Sequence, residues 1–282
     1  MIGKLFNNRM AFFGLTVLFF LFILSALSPV LAPSPPGEQN LARRLSPPCR
    51  RHLMGTDELG RDVFSRILYG GRISLSVGFV AVGISLLIGV PLGLAAGFYG
   101  GAVDSAVMRV VDVMLCFPTI FLILMVITFL EPSIFNVMIV IGATSWPSLA
   151  RYVRGEALAV REREYILAAR MMGVRPWRIL AVHMLPNVIA PVIITATLGV
   201  GSAVLTESVL SFLGLGVQPP DPSWGSILAV GREYMGQHAW WLILYPAAAI
   251  LVTVLSFNLL GEGLRDLLDP RLSGKKDDRS PA

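Results

Sequence analysis

The chain has 282 residues, 55% of them apolar and 15% charged, with a net charge of +5 and two cysteines. Soluble globular domains carry about a quarter charged residues, so this composition excludes an ordinary soluble domain and argues for membrane residence. Nucleic acid is excluded as the reason for the basic balance. The sequence holds no helix–turn–helix pattern, zinc-finger spacing or aromatic RNA-binding signature, and basic residues flanking membrane spans account for the charge.

The apolar residues gather into six blocks of about 20, the length that crosses a hydrocarbon core. The first runs from Met10 to Ala32. It outruns the roughly 7–15-residue apolar core of a signal peptide, so a retained helix is predicted. The second covers about Ile73 to Ala96 and carries Gly78, Gly83, Gly89, Gly93 and Pro91. The third is Val113 to Leu130 with Pro118 near its start, and the fourth is Ile134 to Ala150. The fifth begins near Val188 and reaches at least Leu205; the sixth is Trp240 to Leu260, its paired tryptophans suited to the headgroup level. Small residues in the second and fifth predict close helix packing, because lipid offers helices no hydrophobic drive to associate.

Between the first two spans, "GTDELGRDVFSRILYGGR" sets Asp57 and Glu58 three or four residues ahead of Arg61 and Asp62, with Arg66 four after Asp62. That spacing predicts ion pairs along a helix lying on the membrane surface. The chain is therefore all-α and polytopic. Residues 1–72 give a membrane helix with an outer loop and interfacial helix, residues 73–264 a core of five membrane helices, and residues 265–282 a polar tail. With the N-terminus inside, 15 lysines and arginines fall on the inner side and 8 outside. The positive-inside rule then predicts both termini in the cytoplasm. Seven of the outer eight crowd into the first loop, from Arg43 to Arg72, which that rule does not explain.

Residues 155–187 lie between spans four and five, on the inner side. "EALAVREREYILAARMM" is built of helix formers with acids near its start. Gly173 suits a left-handed residue that ends a helix, and Pro176 suits the first turn of the next. "WRILAVHM" then predicts a short second helix before Leu185-Pro186 turns the chain into span five. On physics alone this is an elbow of two short helices, read either as a surface anchor held by Trp177 and arginines or as a contact for a partner.

The spacing Ala168-Ala169, three residues, Gly173, then Leu185-Pro186 resembles the EAA loop of permease subunits in bacterial ABC importers. The sequence departs from that pattern at Leu167, where the family has glutamate, and at His183, where it has isoleucine. In the family this loop forms coupling helices that dock into a groove on a separate ATPase subunit. The resemblance thus implies a coupling role for Ala168, Ala169, Gly173, Leu185 and Pro186. "MGTDELGRDVFSRILYGGRISLSVG", "GFYGGAVDSAVMRVVDVMLCFP", "SFLGLGVQPPDPSWGSIL" and "FNLLGEGLRDLLDPRL" resemble stretches of the C-type permease of dipeptide, oligopeptide and nickel importers. The similarity runs from about Gly55 to Leu272.

That resemblance implies a type I ABC importer permease fold with six membrane helices, N-in and C-in, in the bacterial inner membrane. It implies a pathway for di- and oligopeptides shared with a homologous B-type permease, with a nickel or other metal chelate as the second candidate cargo. The partners it implies are two cytoplasmic ATPase subunits, which hold the ATP and Mg, and an extracytoplasmic solute-binding protein. An ion-gradient-driven secondary transporter is the alternative of a different class; it predicts buried coupling acids and paired broken helices.

No cofactor, metal or catalytic set is expected on this chain. The sequence contains no G-x-x-x-x-G-K-[ST], so ATP binding is not expected here. His52, His183 and His238 lack ligand spacing. Cys49 and Cys116 make no disulfide framework, and no Ser/His/Asp or Cys/His grouping suggests an enzyme. Glu207, in "VLTESVLSF", extends span five with an acid that is either part of the translocation pathway or paired with a neighbouring helix.

Overall fold

A computed structural model describes residues 9–131 and 133–268. Among them the regular structure is helical, and the single β feature is an isolated bridge between Thr56 and Asp62. The tail expected over 265–282 lies outside the described residues except for 265–268, which form the last turn of a helix.

Helix α1, Arg9–Ala26, is shorter than the apolar block that encodes it. It pauses at Leu27 and gives only one further turn, Ser28–Leu31, with a proline at its start. Pro29 has no N–H to continue the ladder, which accounts for the break. Helix α2, Val63–Tyr99, is 37 residues long and begins well before the expected Ile73. Asp62 caps it by accepting from Ser65 N at 2.8 Å, and Gly100, at φ +65°, ends it.

The surface helix expected ahead of this span is absent; residues 55–62 close instead into a tight turn. Two of its expected ion pairs form within that turn: Arg61 reaches Asp57 and Glu58, each at 2.6 Å. Arg66, expected to pair with Asp62, lies 3.5 Å from Asp57 and donates to Pro36 O. Asp62 is already committed to the helix cap and to His52 Nδ1 at 2.9 Å. Asp57, Arg61, Asp62 and Arg66 are all buried, so this is a folded cap and not a solvated charged face. Burial and then Asp57 push the Glu58 carboxyl above its ordinary range. Arg43 bonds His52 at 3.3 Å and Arg44 stacks on Tyr234. Arg43, Arg44, Arg61 and Arg66 thus fasten this loop to itself and to the helices beneath it.

The third expected span is broken. Helices α3, Gly101–Leu115, and α4, Thr119–Thr128, meet at 84° across Pro118. Proline drives its predecessor out of the helical region, and α4 alone, at 10 residues, covers about half a hydrocarbon core. Helix α5, Ile134–Arg161, outlasts the expected end at Ala150 because its apolar face continues through Val153, Ala157 and Val160, all buried.

After the short helix α6, Glu164–Met171, the chain passes Gly173 and re-enters helix at Pro176. It does not turn at Leu185-Pro186. A wide-turn π segment, Ile179–Met184, runs straight into α7, Leu185–Phe212. Leu185 N bonds Leu180 O, five residues back, and this looser register makes room for the ring of Pro186. Helix α8, Trp224–Glu233, was not anticipated; Ser223 and Ser226 close a capping box at its start. Helix α9, Trp241–Leu268, completes the described chain. Only Trp240 faces outward, whereas Trp241 is buried and donates to Thr56 O at 3.0 Å.

α1, α2, the continuous Pro176–Phe212 helix and α9 are long and apolar enough to cross a membrane, and the bent α3–α4 pair is a fifth candidate. The tightest seam joins α2 to α5. Gly89, Gly93 and Gly97 recur every fourth residue, and a methyl at Gly93 would fall 2.6 Å from Ala150 O. That is backbone-to-backbone packing of the small-xxx-small kind. Gly93→Ala is therefore expected to lower the thermal midpoint of the purified protein by forcing the helices apart, an overpacking penalty of about 1–3 kcal/mol. Gly83→Ala, at a site with nothing within 4 Å, should be neutral or slightly stabilising. A scanning-fluorescence melt of both variants checks the contrast.

Candidate functional site

The segment after α5 is held from three sides. Val174 N bonds Ala169 O and Gly173 N bonds Arg170 O, the paired bonds of a Schellman ending. Gly173 sits at φ +73° with open space around it, so its role is conformational and not steric. Ile166, Ala169, Ile179 and Met184 bury against Leu94, Phe98, Val153, Val188 and Val192, joining the segment to α2, α5 and α7 in one core. Of the five residues expected to couple, Ala169 is buried and Ala168 lies on the exposed side. Leu185 packs against the same core, and Pro186 sits in the first turn of α7. Leu167, Met171, Met172 and Trp177 stand out from it, Met171 89% exposed. Large apolar side chains exposed together on one short segment are a mark of a partner surface.

Sequence reasoning missed the ties from this segment to the end of α2. Arg170 donates to Phe98 O at 3.1 Å and stacks over the Phe98 ring at 4.2 Å. Arg161 donates to Gly97 O at 3.2 Å. Both occupy the negative end of a helix dipole, where cations are stabilised. On α5, Arg154 and Arg151 pair with Asp104 and Asp112 of α3, so arginines on α5 also fix the bent helix. The sequence showed an excess of arginine there but not these partners.

Between α2, α5 and α7 lies a groove of about 390 Å³. Ser85, Ser145, Ser148, Tyr152, Thr195 and Ser202 supply hydroxyls to its walls, and no charged residue lines it. Ser145 and Thr195 already donate to Ile141 O and Pro191 O of their own helices and so present acceptors, while the remaining hydroxyls can donate or accept, without a fixed charge to trap a passing ion.

Glu207 is not among the residues lining that groove. It is fully buried on α7, accepting from Ser211 Oγ at 2.7 Å and from Ser74 Oγ of α2 at 3.1 Å. Ser74 also accepts from Trp224 N, and Ser211 accepts from Ser223 Oγ and Val217 N. One carboxylate therefore organises α2, α7 and the start of α8. Its geometry is that of a structural knot.

A helical membrane bundle with an uncharged polar groove and an apolar surface elbow wired to that groove's walls defines a permease-type transport subunit. The profile of the binding-protein-dependent transport system inner membrane component matches residues 89–274, and that of the N-terminal TM domain of oligopeptide transport permease C matches residues 1–48. The chain belongs to this permease family. It is 43% identical to the dipeptide transport system permease protein DppC of Alkalihalophilus pseudofirmus, over 94% of this chain and 87% of the relative. It is 42% identical to the probable D,D-dipeptide transport system permease protein DdpC of Escherichia coli, over 92% and 87%. The inward-facing MetNI methionine ABC transporter shares the fold: TM-score 0.57 at 22% identity, covering 73% of this chain and 98% of that one. Family membership makes this an ABC-transporter permease of the inner membrane and sets aside the ion-gradient alternative.

For Glu207, the network predicts a graded response. Glu207→Gln keeps the shape and the capacity to bond both serines, so folding should survive. Glu207→Leu leaves several buried hydroxyls without their acceptor, at about 1–3 kcal/mol each. A clear drop in thermal midpoint is expected for the leucine variant only, read from melts of the two purified proteins.

Proposed function

We propose that this permease carries peptides, from dipeptides to short oligopeptides, through a pathway it shares with a second, homologous permease subunit. The observation that carries the reading is the common core. The elbow at Gly173 packs on the same three helices that wall the hydroxyl-lined groove. A push on the elbow is thereby a push on the groove. The names of the relatives, dipeptide permeases at about 40% identity, favour peptides over a nickel chelate. An uncharged wall suits a cargo carrying both an ammonium and a carboxylate, since binding must be weak enough to let it leave.

In this reading two cytoplasmic ATPase subunits hold ATP and Mg and engage the patch formed by Leu167, Ala168, Met171 and Trp177. An extracytoplasmic binding protein delivers the peptide to the opposite face. The permease itself makes and breaks no bonds and carries no cofactor. ATP-driven closure biases a two-state bundle between inward- and outward-facing forms. Six crossings follow if α5 and the bent α3–α4 pair each count as one, with both termini and residues 155–187 in the cytoplasm.

Topology is tested with single cysteines at Gln39 and Glu164, both exposed, in a background lacking Cys49 and Cys116. An impermeant thiol reagent on intact cells should label position 39 and spare position 164; the reverse pattern would overturn the orientation.

Coupling is tested at Gly173. A β-branched residue held at positive φ is strained by about 1–2 kcal/mol or somewhat more, small beside the stability of the bundle. With open space around the residue, Gly173→Val should still assemble in the membrane. It should lose most peptide uptake and most stimulation of ATPase activity by loaded binding protein in reconstituted vesicles, with Gly173→Ala milder. Full coupling in the valine variant would reduce the elbow to a surface anchor.

A further inference from the structure

α1 and α2 leave between them a groove of about 380 Å³ that has no part in the pathway or the elbow. Its walls are mostly apolar: Phe22 and Ala26 from α1, Leu75, Phe79 and Val80 from α2. Two polar groups interrupt them. Arg72 is exposed, and its guanidinium has no hydrogen-bond or ion-pair partner among the described residues. Ser25, only 6% exposed, lines the same groove and its hydroxyl makes no hydrogen bond to another described residue. Arg43, Arg44, Arg61 and Arg66 of the same end are engaged; Arg50 and Arg51 are exposed on the loop and do not line this groove.

α1 has 18 residues from Arg9 to Ala26, a rise of about 27 Å, close to the thickness of a hydrocarbon core of about 30 Å. Among the described residues α1 ends at Ala26, and Arg72 faces Ser25 and Ala26 across the groove at that end of the helix. From there Phe22 and Phe79, whose rings pack at 5.3 Å, lead inward along the membrane, both partly exposed. An unpaired guanidinium at that end above an aromatic-lined apolar channel is complementary to an anion joined to a hydrocarbon tail. Arginine's planar fork matches phosphate oxygens, while an apolar tail lies against the phenyl rings.

We infer that this groove is a binding site for an anionic phospholipid, with its phosphodiester on Arg72 and Ser25 and an acyl chain along Phe22, Phe79 and Val80. A lipid with net negative charge is favoured over a zwitterionic one because an ammonium in the headgroup competes for the phosphate. The site sits in the leaflet at which α1 ends.

The test uses the full-length chain purified in mild detergent together with the subunits that co-purify with it. Wild type, Arg72→Gln and Arg72→Lys are exchanged into nanodiscs of phosphatidylcholine containing a small fraction of phosphatidylglycerol, and retained lipid is counted by native mass spectrometry. Wild type should retain phosphatidylglycerol at least several-fold over its fraction in the disc. The glutamine variant should lose that enrichment at unchanged fold, judged by circular dichroism, and the lysine variant should keep part of it. Phe79→Ala should weaken retention without removing the preference for the anionic headgroup. Equal enrichment in wild type and Arg72→Gln overturns the proposal. So does equal protection of the wild-type thermal midpoint by inorganic phosphate, which would mark a free-anion site. A crosslink from a photoreactive residue at Ser76, an exposed position on the groove's rim, to a co-purifying protein in place of lipid would show the groove to be a subunit interface and would likewise overturn it.

Discussion

Everything in this bundle rests on the distance of approach between α2 and α5. Lipid tails are as apolar as leucine, so no hydrophobic drive holds membrane helices together and contact must come from close packing. Glycine at every fourth position of α2 lets the two backbones touch, with Ala150 O and Ala157 Cβ lying where side chains would otherwise be. The groove exists because of this seam. Once α2 and α5 are joined along one edge, the hydroxyl-bearing faces beside it, completed by α7, have a fixed spacing. The elbow depends on it too, since Arg161 and Arg170 reach carbonyls that only a closely packed α2 brings within range.

Polar groups inside the bundle follow one logic. Two clusters of buried polar groups hold separate elements together. Glu207 gathers Ser74, Ser211 and, through them, Ser223 and the amide of Trp224. Asp57 gathers Arg61 and Arg66. A buried acceptor without such donors is costly, so these knots hold α8 and the loop before α2 in place where apolar contact alone would leave them free to slide.

Much of this was legible in the sequence. Four of the six apolar blocks are continuous helices because length and composition are what a bilayer demands, and Gly173 takes the left-handed conformation that its position between two helical patterns required. The misreadings have local causes. Charge spacing at Asp57, Arg61 and Arg66 fits a helix, but Gly55 and Gly60 at positive φ close a turn first. Pro118 breaks a run of apolar residues that composition alone joins, whereas Pro91, Pro147 and Pro191 sit inside helices. At Pro118 the helix before the proline turns away, since α3 is bound by Asp104 and Asp112 to α5. The groove was invisible because its hydroxyls come from three separated stretches, and α8 because it is only ten residues long and follows a stretch rich in glycine and proline.

The unturned passage through Leu185-Pro186 has a mechanical consequence. From Pro176 to Phe212 the chain is one 37-residue helix, a rod of about 55 Å. One end belongs to the surface elbow, and the other is pinned by Glu207 near α8. A rod pinned at that end converts a tilt of about 5° into a displacement of about 5 Å at the elbow, by its length alone. The π segment is then the compliant joint on that rod, set just inside the elbow, where slack in the register absorbs small misfits and passes on larger strokes.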